Sequence, residues 1–551
     1  MLIKSGNTKR HIIMEITGDF ISIFIILFTV CVSSKACPDV TSCECRIWTH
    51  GNSLSYNVVE CEGEVDVESL NLSSYDNGNI RKFTFTNTTF SIFDSTTFKG
   101  LQVDAIKIQN QKMTISEDAF VPLETTLKDL SLINVNIRKR WKLDFLKNLY
   151  NLESLTLDGN GVFPEHFPEN VFRTLNLTGL KRLSLRFCKI ANMPDMALEG
   201  LTNLEELDLS HNFLHMVPNA ILKLKKLRKL NISNNERFIY VHDYAFKRLI
   251  HLEEIDMSHT NLSTISEYAF YDLENSLTTL KLHHSQLVDG HFASMKDLRK
   301  LKYLDVSYNR IVEMHNTSFD GFIALEELDI SGQQELRQKL IYRLGFIDSI
   351  FKGIERKLKI LRIRDLGMSS LPLAALKSLR KLRILDASKN DFTEVYESFF
   401  YGIKAKIIYM TDMQITEVSH EAFETLPPGV EIYFDRNNIT NISFVLETQK
   451  CLFHKLSLAE NPITCGCDVI EIAATHRVNQ LIGTCADYLY EGENIKSVFT
   501  LDMAIKNCDM TDYRNDTYCS YINSSVKHTP KLQLVALVLL LIVFFSIYDT
   551  F

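Results

Sequence analysis

Apolar positions along this chain follow one phrase, seen most cleanly at Leu204–Asn212, LEELDLSHN. Its form is L-x-x-L-x-L-x-x-N, and its first apolar position recurs at Ile80, Val103, Leu127, Leu152, Leu180, Leu204, Leu227 and Leu252. The series continues at Leu277, Leu301, Leu325, Leu358, Leu382, Ala405, Gly429 and Phe453, with most steps 23 to 25 residues long. Within Leu207-Asp208-Leu209 the period is two, which predicts a short strand with leucines on one face and Asp208 on the other. One such strand per turn, paired with that of the next turn, builds a parallel sheet. Asn212 closes the phrase with an amide able to bond backbone groups of neighbouring turns. No turn can bury its leucines alone, so stability must come from stacking.

Departures from the phrase carry their own expectations. Ala119-Phe120, Ala245-Phe246, Ala269-Phe270 and Ala422-Phe423 recur in phase and predict an aromatic spine in the outer half of the core. Cys188 occupies an Asn position and reads as a buried free thiol. Val135, Leu366 and Met413 leave that position altogether, so the amide ladder is expected to be distorted there. The step from Leu325 to Leu358 is 33 residues, and Leu336, Leu340, Leu344, Ile347, Phe351 and Ile354 within it have helical spacing. That segment is either a helix on the outer side of its own turn or a partner-docking insertion. Pro164 and Pro168 predict an irregular loop between Leu152 and Leu180.

The repeated phrase, with the cysteine clusters that flank it, resembles extracellular leucine-rich-repeat proteins such as Toll-like receptor ectodomains, chaoptin and connectin. The resemblance spans residues 37–508. It implies an α/β solenoid, a leucine-rich-repeat horseshoe of about sixteen repeats with a parallel sheet on its concave side and a disulfide cap at each end. Ahead of the repeats lies Cys37-x5-Cys43-x-Cys45-x15-Cys61. The resemblance would pair Cys37 with Cys45 and Cys43 with Cys61; a zinc site is the rival reading of such a quartet. After the repeats comes Asn461-Pro462-x-x-Cys465-x-Cys467, then Cys485 and Cys508. Here the resemblance would pair Cys465 with Cys485 and Cys467 with Cys508. Cys451 and Cys519 remain, either as a pair or with Cys519 free or bridged to another molecule.

Lys4, Lys9 and Arg10 precede the apolar run Phe20–Val32, and Ser33, Ser34 and Ala36 follow. That order predicts a secretory signal over residues 1–36, and a run of 13 residues is short for an uncleaved span. The expected organisation continues with a cap over 37–79, repeats over 80–460, and a second cap and stalk over 461–522. The tail, 523–551, holds the apolar run Leu534–Ile547 with Lys527 and Lys531 ahead of it. It fits a GPI-anchor signal with Asn523 as attachment site, against a short transmembrane segment as the alternative. Neither leaves a cytoplasmic domain. Sequons at Asn71, Asn87, Asn176, Asn231, Asn261, Asn316, Asn438, Asn441, Asn515 and Asn523 fit exposure on the extracellular side of the plasma membrane.

A net charge of −8 over 551 residues gives no support to nucleic-acid binding. The chain has no H-E-x-x-H, G-x-S-x-G or phosphate-cradling glycine loop, so no catalysis and no cofactor are expected. Function is expected in the outward-facing strand residues. Glu254, Asp256, Tyr303 and Asp305 are the strand candidates, with Lys229 and Lys281 placed to neutralise part of the acidic row. Just past the strand runs a second row, His211, Asn234, His259, His284 and Tyr308. His259 and His284, with His283 adjacent, are read as solvated turn residues rather than as a metal site. The expected partner is an extracellular protein ligand or a partner receptor ectodomain, homodimerisation included. The role is cell-surface recognition or adhesion, with an innate-immune binding receptor or decoy as the alternative.

Overall fold

The computed structural model describes residues 43–486 apart from 51–53, 64–79, 89–91, 100–101, 113, 136, 138–142, 162–166, 334–335 and 337–348, and beyond them residues 492, 494 and 495. The signal, the tail with Asn523, Cys37, Cys508, Cys519, Asn71, Asn515 and most of the long insertion lie outside the described residues, as does the loop around Pro164. The chain divides into two compact units, residues 1–368 with 374–382, and residues 369–373 with 383–551.

The first unit begins with an antiparallel hairpin, Cys43–His50 against Leu54–Glu62, joined by the Cys43–Cys61 disulfide. The sheet then turns parallel. Leu54–Glu62 pairs with Ile80–Thr86, which pairs with Ala105–Gln109, and so on turn by turn to Ile360–Arg362. The register never slips between Ser154–Thr156 and Glu327–Asp329: Arg182, Glu206, Lys229, Glu254, Thr279, Tyr303 and Glu327 face their neighbours directly. A one-residue slip would turn every leucine to solvent, and burying each contributes roughly 1.5–3 kcal/mol, which fixes the register. Leu183, Leu207, Leu230, Ile255, Leu280, Leu304 and Leu328 are all buried beneath it.

The second unit is another parallel-sheet solenoid. Its strands are Ile384–Asp386, Ile407–Tyr409, Val430–Tyr433, Phe453–Ser457 and Gln480–Ile482. The last of these lies past the final repeat, and with the helix Cys467–Ala474 it closes the apolar end. Cys465 and Cys485 are bonded here. Cys467 and Cys451 are also disulfide-bonded.

The phenylalanine spine is present in both units. Phe98 stacks on Phe120 at 5.7 Å, Phe246 on Phe270 at 5.8 Å, and Phe400 on Phe423 at 5.6 Å. Phe351 and Ile354, at the end of the long insertion, are buried, and Phe351 stacks on Phe319 at 6.3 Å.

Three hydrogen-bonding devices take the chain out of each strand. An Asp or Asn in the last strand position accepts the N–H two residues on: Asp208 from Ser210 at 2.8 Å, Asn231 from Ser233 at 3.0 Å, Asp256 from Ser258 at 3.0 Å. Next comes a residue in the left-handed region, with φ of 55° at His211, 54° at Asn234, 52° at His259, 53° at His284 and 52° at Tyr308. That conformation costs roughly 1–2 kcal/mol for a residue with a side chain. It is offset by an N–H donated to the following turn, as from His259 to the His283 carbonyl at 2.9 Å and from Tyr308 to Ser331 at 2.7 Å. The third device is the buried amide. Asn212, Asn235, Asn309 and Asn461 each donate to carbonyls of their own and the preceding turn.

Turns that lack the amide still donate to the amide oxygen of the next turn, as Leu214 does to Asn235 and Ile439 does to Asn461 in turns that have one. Val135 donates its N–H to Asn160 at 2.9 Å, and beyond Met413 the N–H of Ile415 reaches Asn437 at 3.3 Å. Strand pairing continues through both places, so the expected distortion is confined to the loss of one amide. Cys188 is a free, buried thiol that donates to the Leu157 carbonyl at 3.2 Å, and burial pushes its pKa up to about 12.

Candidate binding surface

Two rows of side chains share the outward edge of the sheet in the first unit. In the strand row, register sets several opposite charges side by side, although it also places Asp305 beside Asp329. Lys229 lies 3.3 Å from Glu206, Lys281 lies 2.7 Å from Glu254 and 3.8 Å from Asp256, and Arg186 lies 3.9 Å from Asp208. Arg362 pairs with Glu327, and Arg364 lies 3.4 Å from Asp329. A shallow groove of about 440 Å³ runs across six strands, from Ser154–Thr156 to Thr279–Lys281, floored by Arg182, Glu206, Lys229, Glu254 and Lys281.

The acidic groups are therefore mostly engaged. Asp305 is buried, takes the N–H and hydroxyl of Ser307 at 3.0 and 2.7 Å, and receives the Tyr303 hydroxyl at 3.3 Å. Asp256 likewise holds both donors of Ser258. Burial of Lys281 opposes its charge, but its bond to Glu254 and the charges of Glu254, Asp256 and Asp305 outweigh that and raise its pKa. Burial, then the charge of Asp305, raises the pKa of Asp329. Burial and the same carboxylate raise that of Tyr303 as well. Of the strand candidates, Glu254 and Asp256 share Lys281, whereas Asp305 serves mainly to hold its own turn.

The second row is built from the left-handed positions, and from His211 to Tyr308 the N–H bond made by each keeps its side chain above its neighbour. Phe187 stacks on His211 at 4.2 Å, His259 on His284 at 4.4 Å, and His284 on Tyr308 at 4.5 Å. Asn234 interrupts the stack. Arg186 lies over Phe187 at 5.4 Å, and Phe187 is 52% exposed although apolar. Tyr308 leans on Gly332, whose added Cβ would meet its ring at 2.3 Å. His283, one residue before His284, brings its Nδ1 to 3.0 Å from that of His284 and stands edge-on to His259 at 4.9 Å. Burial, then the charge of His283, lowers the pKa of His259; burial, then the charges of His259 and His283, lowers that of His284.

Sequence placed His259, His284 and Tyr308 on this row but missed Phe187, which fills the same slot one turn before His211. Extending the row back to the turn that ends in Cys188 would have found it. Gly332 carried a signal too: it replaces the side-chain-bearing residue of that slot.

Of the sequons, Asn87, Asn176, Asn261, Asn316, Asn438 and Asn441 are exposed. Asn231 is half-buried in the strand row, where its amide donates to Asp208 at 3.2 Å.

The family model described as "Leucine rich repeat" matches residues 178–236, 237–287 and 275–334, and a "BspA type Leucine rich repeat region (6 copies)" matches residues 68–183. The chain carries leucine-rich repeats and has the leucine-rich-repeat fold. Lumican of Bos taurus is 31% identical over 183 residues, covering 31% of this chain and 52% of lumican. The repeat protein thus spans about half the length of that relative. Among solved structures, the TLR13–ssRNA13 complex matches at a TM-score of 0.57 with 19% identity, covering 79% of this chain and 62% of that one. The mouse RP105/MD-1 complex matches at 0.56 with 18% identity, covering 77% and 75%. Both support the fold. The disulfides at the two ends of the repeats fit an oxidising, secretory route. Among the described residues no helix is long and apolar enough to cross a membrane.

Proposed function

We propose that this leucine-rich-repeat protein is a cell-surface recognition or adhesion protein that holds a protein ligand or partner ectodomain against the outward edge of the first unit's sheet. The observation that carries this reading is the ring row from Phe187 to Tyr308, exposed at Phe187, His259 and His284 and half-buried at His211 and Tyr308, beside a charge lattice that is largely paired within itself. Rigid aromatic side chains supply contact area at low entropic cost, and central aromatic anchors dominate protein interfaces. A paired lattice contributes orientation and discrimination more than raw affinity. It also lacks the uninterrupted basic stripe that nucleic acid requires. RP105 is described in complex with MD-1, a protein partner, which fits this kind of use for the fold.

Cells displaying the full chain, mixed with cells that do or do not display it, test the reading. Clustering that falls several-fold in Phe187→Ser and Tyr308→Ala variants, at unchanged surface level, supports adhesion through this edge. Capture of microbial products without clustering would instead favour the innate-immune reading. Clustering indifferent to both substitutions would move the contact elsewhere. Release of the chain from cells by phosphatidylinositol-specific phospholipase C tests the anchor expected from the tail.

A further inference from the structure

We propose that His259, His283 and His284 form a site for a borderline-soft divalent transition metal, Zn2+ or Cu2+, at the outward edge of the first unit's sheet.

The argument begins with backbone. His259 and His284 occupy the same left-handed slot in successive turns, and their N–H bonds to the His283 and Ser307 carbonyls fix the slots one strand spacing apart. His283 is the residue before that slot, where neighbouring turns carry Ser258 and Ser307. The fold therefore delivers three imidazoles to one place. One ligand nitrogen from each lies within 4.8 Å of the other two.

The distances suit a metal. Two imidazole nitrogens at Zn–N of about 2.0–2.1 Å and a tetrahedral angle stand about 3.3 Å apart. His283 Nδ1 and His284 Nδ1 already face each other at 3.0 Å. Two neutral nitrogens can approach so closely only with a proton between them, and a metal ion can take that proton's place. His259 is exposed and edge-on to His283, so rotation about its side-chain bonds brings in the third nitrogen without moving the backbone. The neutral imidazole that ligates is also the form burial favours at His259 and His284.

The surroundings add charge of the right sign. Asp256 and Asp305 act on His259 and His284 respectively as nearby negative charges. A three-nitrogen set leaves the fourth position of a tetrahedral ion open to water or to a donor from outside the chain, as in open zinc sites. Imidazole ligation suits Zn2+ and, more strongly, Cu2+, and does not suit Ca2+ or Mg2+.

The test uses the full glycosylated chain, purified through a tag without histidine and stripped with chelator. Titration with Zn2+ alone, followed calorimetrically at pH 7.5, is expected to show one equivalent bound. Binding should weaken at least tenfold in His283→Ala and in His284→Ala, and Mg2+ should give no signal. A His251→Ala variant, altered at an exposed histidine elsewhere, should bind as wild type does. Equal thermal midpoints without metal establish that the variants fold. No Zn2+ binding, or binding that survives loss of His283 and His284, overturns the site. Neither outcome bears on the adhesion reading, whose test replaces Phe187 and Tyr308.

Discussion

Asn212 Oδ1 accepts the backbone N–H of Cys188, one turn earlier, at 3.0 Å. The same oxygen takes Ile190 N–H at 3.0 Å, while the amide nitrogen donates to the Leu185 and Leu209 carbonyls at 2.8 and 2.9 Å. With a further bond from that nitrogen to the Ser210 carbonyl at 3.2 Å, one side chain reaches five backbone groups in two turns. Replacing Asn212 with Ala strands buried donors that cost about 1–3 kcal/mol each, so a loss of roughly 3 kcal/mol or more is expected. The urea midpoint by circular dichroism should fall clearly. Asn203→Ala, which removes an exposed bond to Thr178, should change it by no more than about 0.5 kcal/mol. Equal effects at the two positions would refute the ladder's role.

This division between Asn212 and Asn203 also shows what sequence can reveal. Asn212 was legible because a repeated phrase fixes its slot relative to the buried leucines. The parallel register, the phenylalanine spine and the Cys188 thiol followed from the same spacing. The stacking of His259, His284 and Tyr308 was only half legible: order along the row came from sequence, but the left-handed backbone that aligns the rings did not. The acidic row was half legible for a related reason. Asp256 and Asp305 look like a binding patch until their bonds to Ser258 and Ser307 are seen. The D-x-S spacing was there to read as a turn. The strand Gln480–Ile482 departs from the phrase and had no comparable signal.

Glycan occupancy should divide along exposure. Asn87, Asn176, Asn261, Asn316, Asn438 and Asn441 are exposed and should carry sugar when the chain passes through a secretory pathway. Asn231 should be empty, because its Nδ2 donates to Asp208 and its Oδ1 holds the Ser233 N–H within the sheet. Glycopeptide mass spectrometry reads both. Full occupancy at Asn231 would place a sugar in the groove and sink the use of that part of the face for binding.

Gly332 supports the ring row from below. It has φ of +67°, and a Cβ there would meet Tyr308 atoms at 2.3 to 2.8 Å. Gly332→Ala must strain the backbone and displace the ring, at a cost on the order of 1–3 kcal/mol. The near-ultraviolet signal of Tyr308 should change and clustering of displaying cells should weaken. A variant indistinguishable from wild type in stability and spectrum would show that Tyr308 does not rest on this glycine.

Asp329 gives a pH dependence of definite sign. It is buried, and burial together with the charge of Asp305 raises its pKa above the ordinary 3.8, against the opposing bonds from Ser331 and the charge of Arg364. A carboxyl with a raised folded-state pKa binds its proton more tightly when folded. Its stabilising contribution is complete below the unfolded value and is lost as pH rises through the folded one. Asn231 shows that an amide fits the same slot and makes the same bond to the N–H two residues on. Asp329→Asn should therefore keep the turn while abolishing the charge. The urea midpoint of the variant relative to wild type should rise as pH increases from the ordinary carboxylate range towards neutrality, because the raised pKa makes the folded protein give up this proton later than the unfolded chain does. A difference that is constant over that interval, or that falls, would mean that Arg364 stabilises the charge by more than burial and Asp305 oppose it.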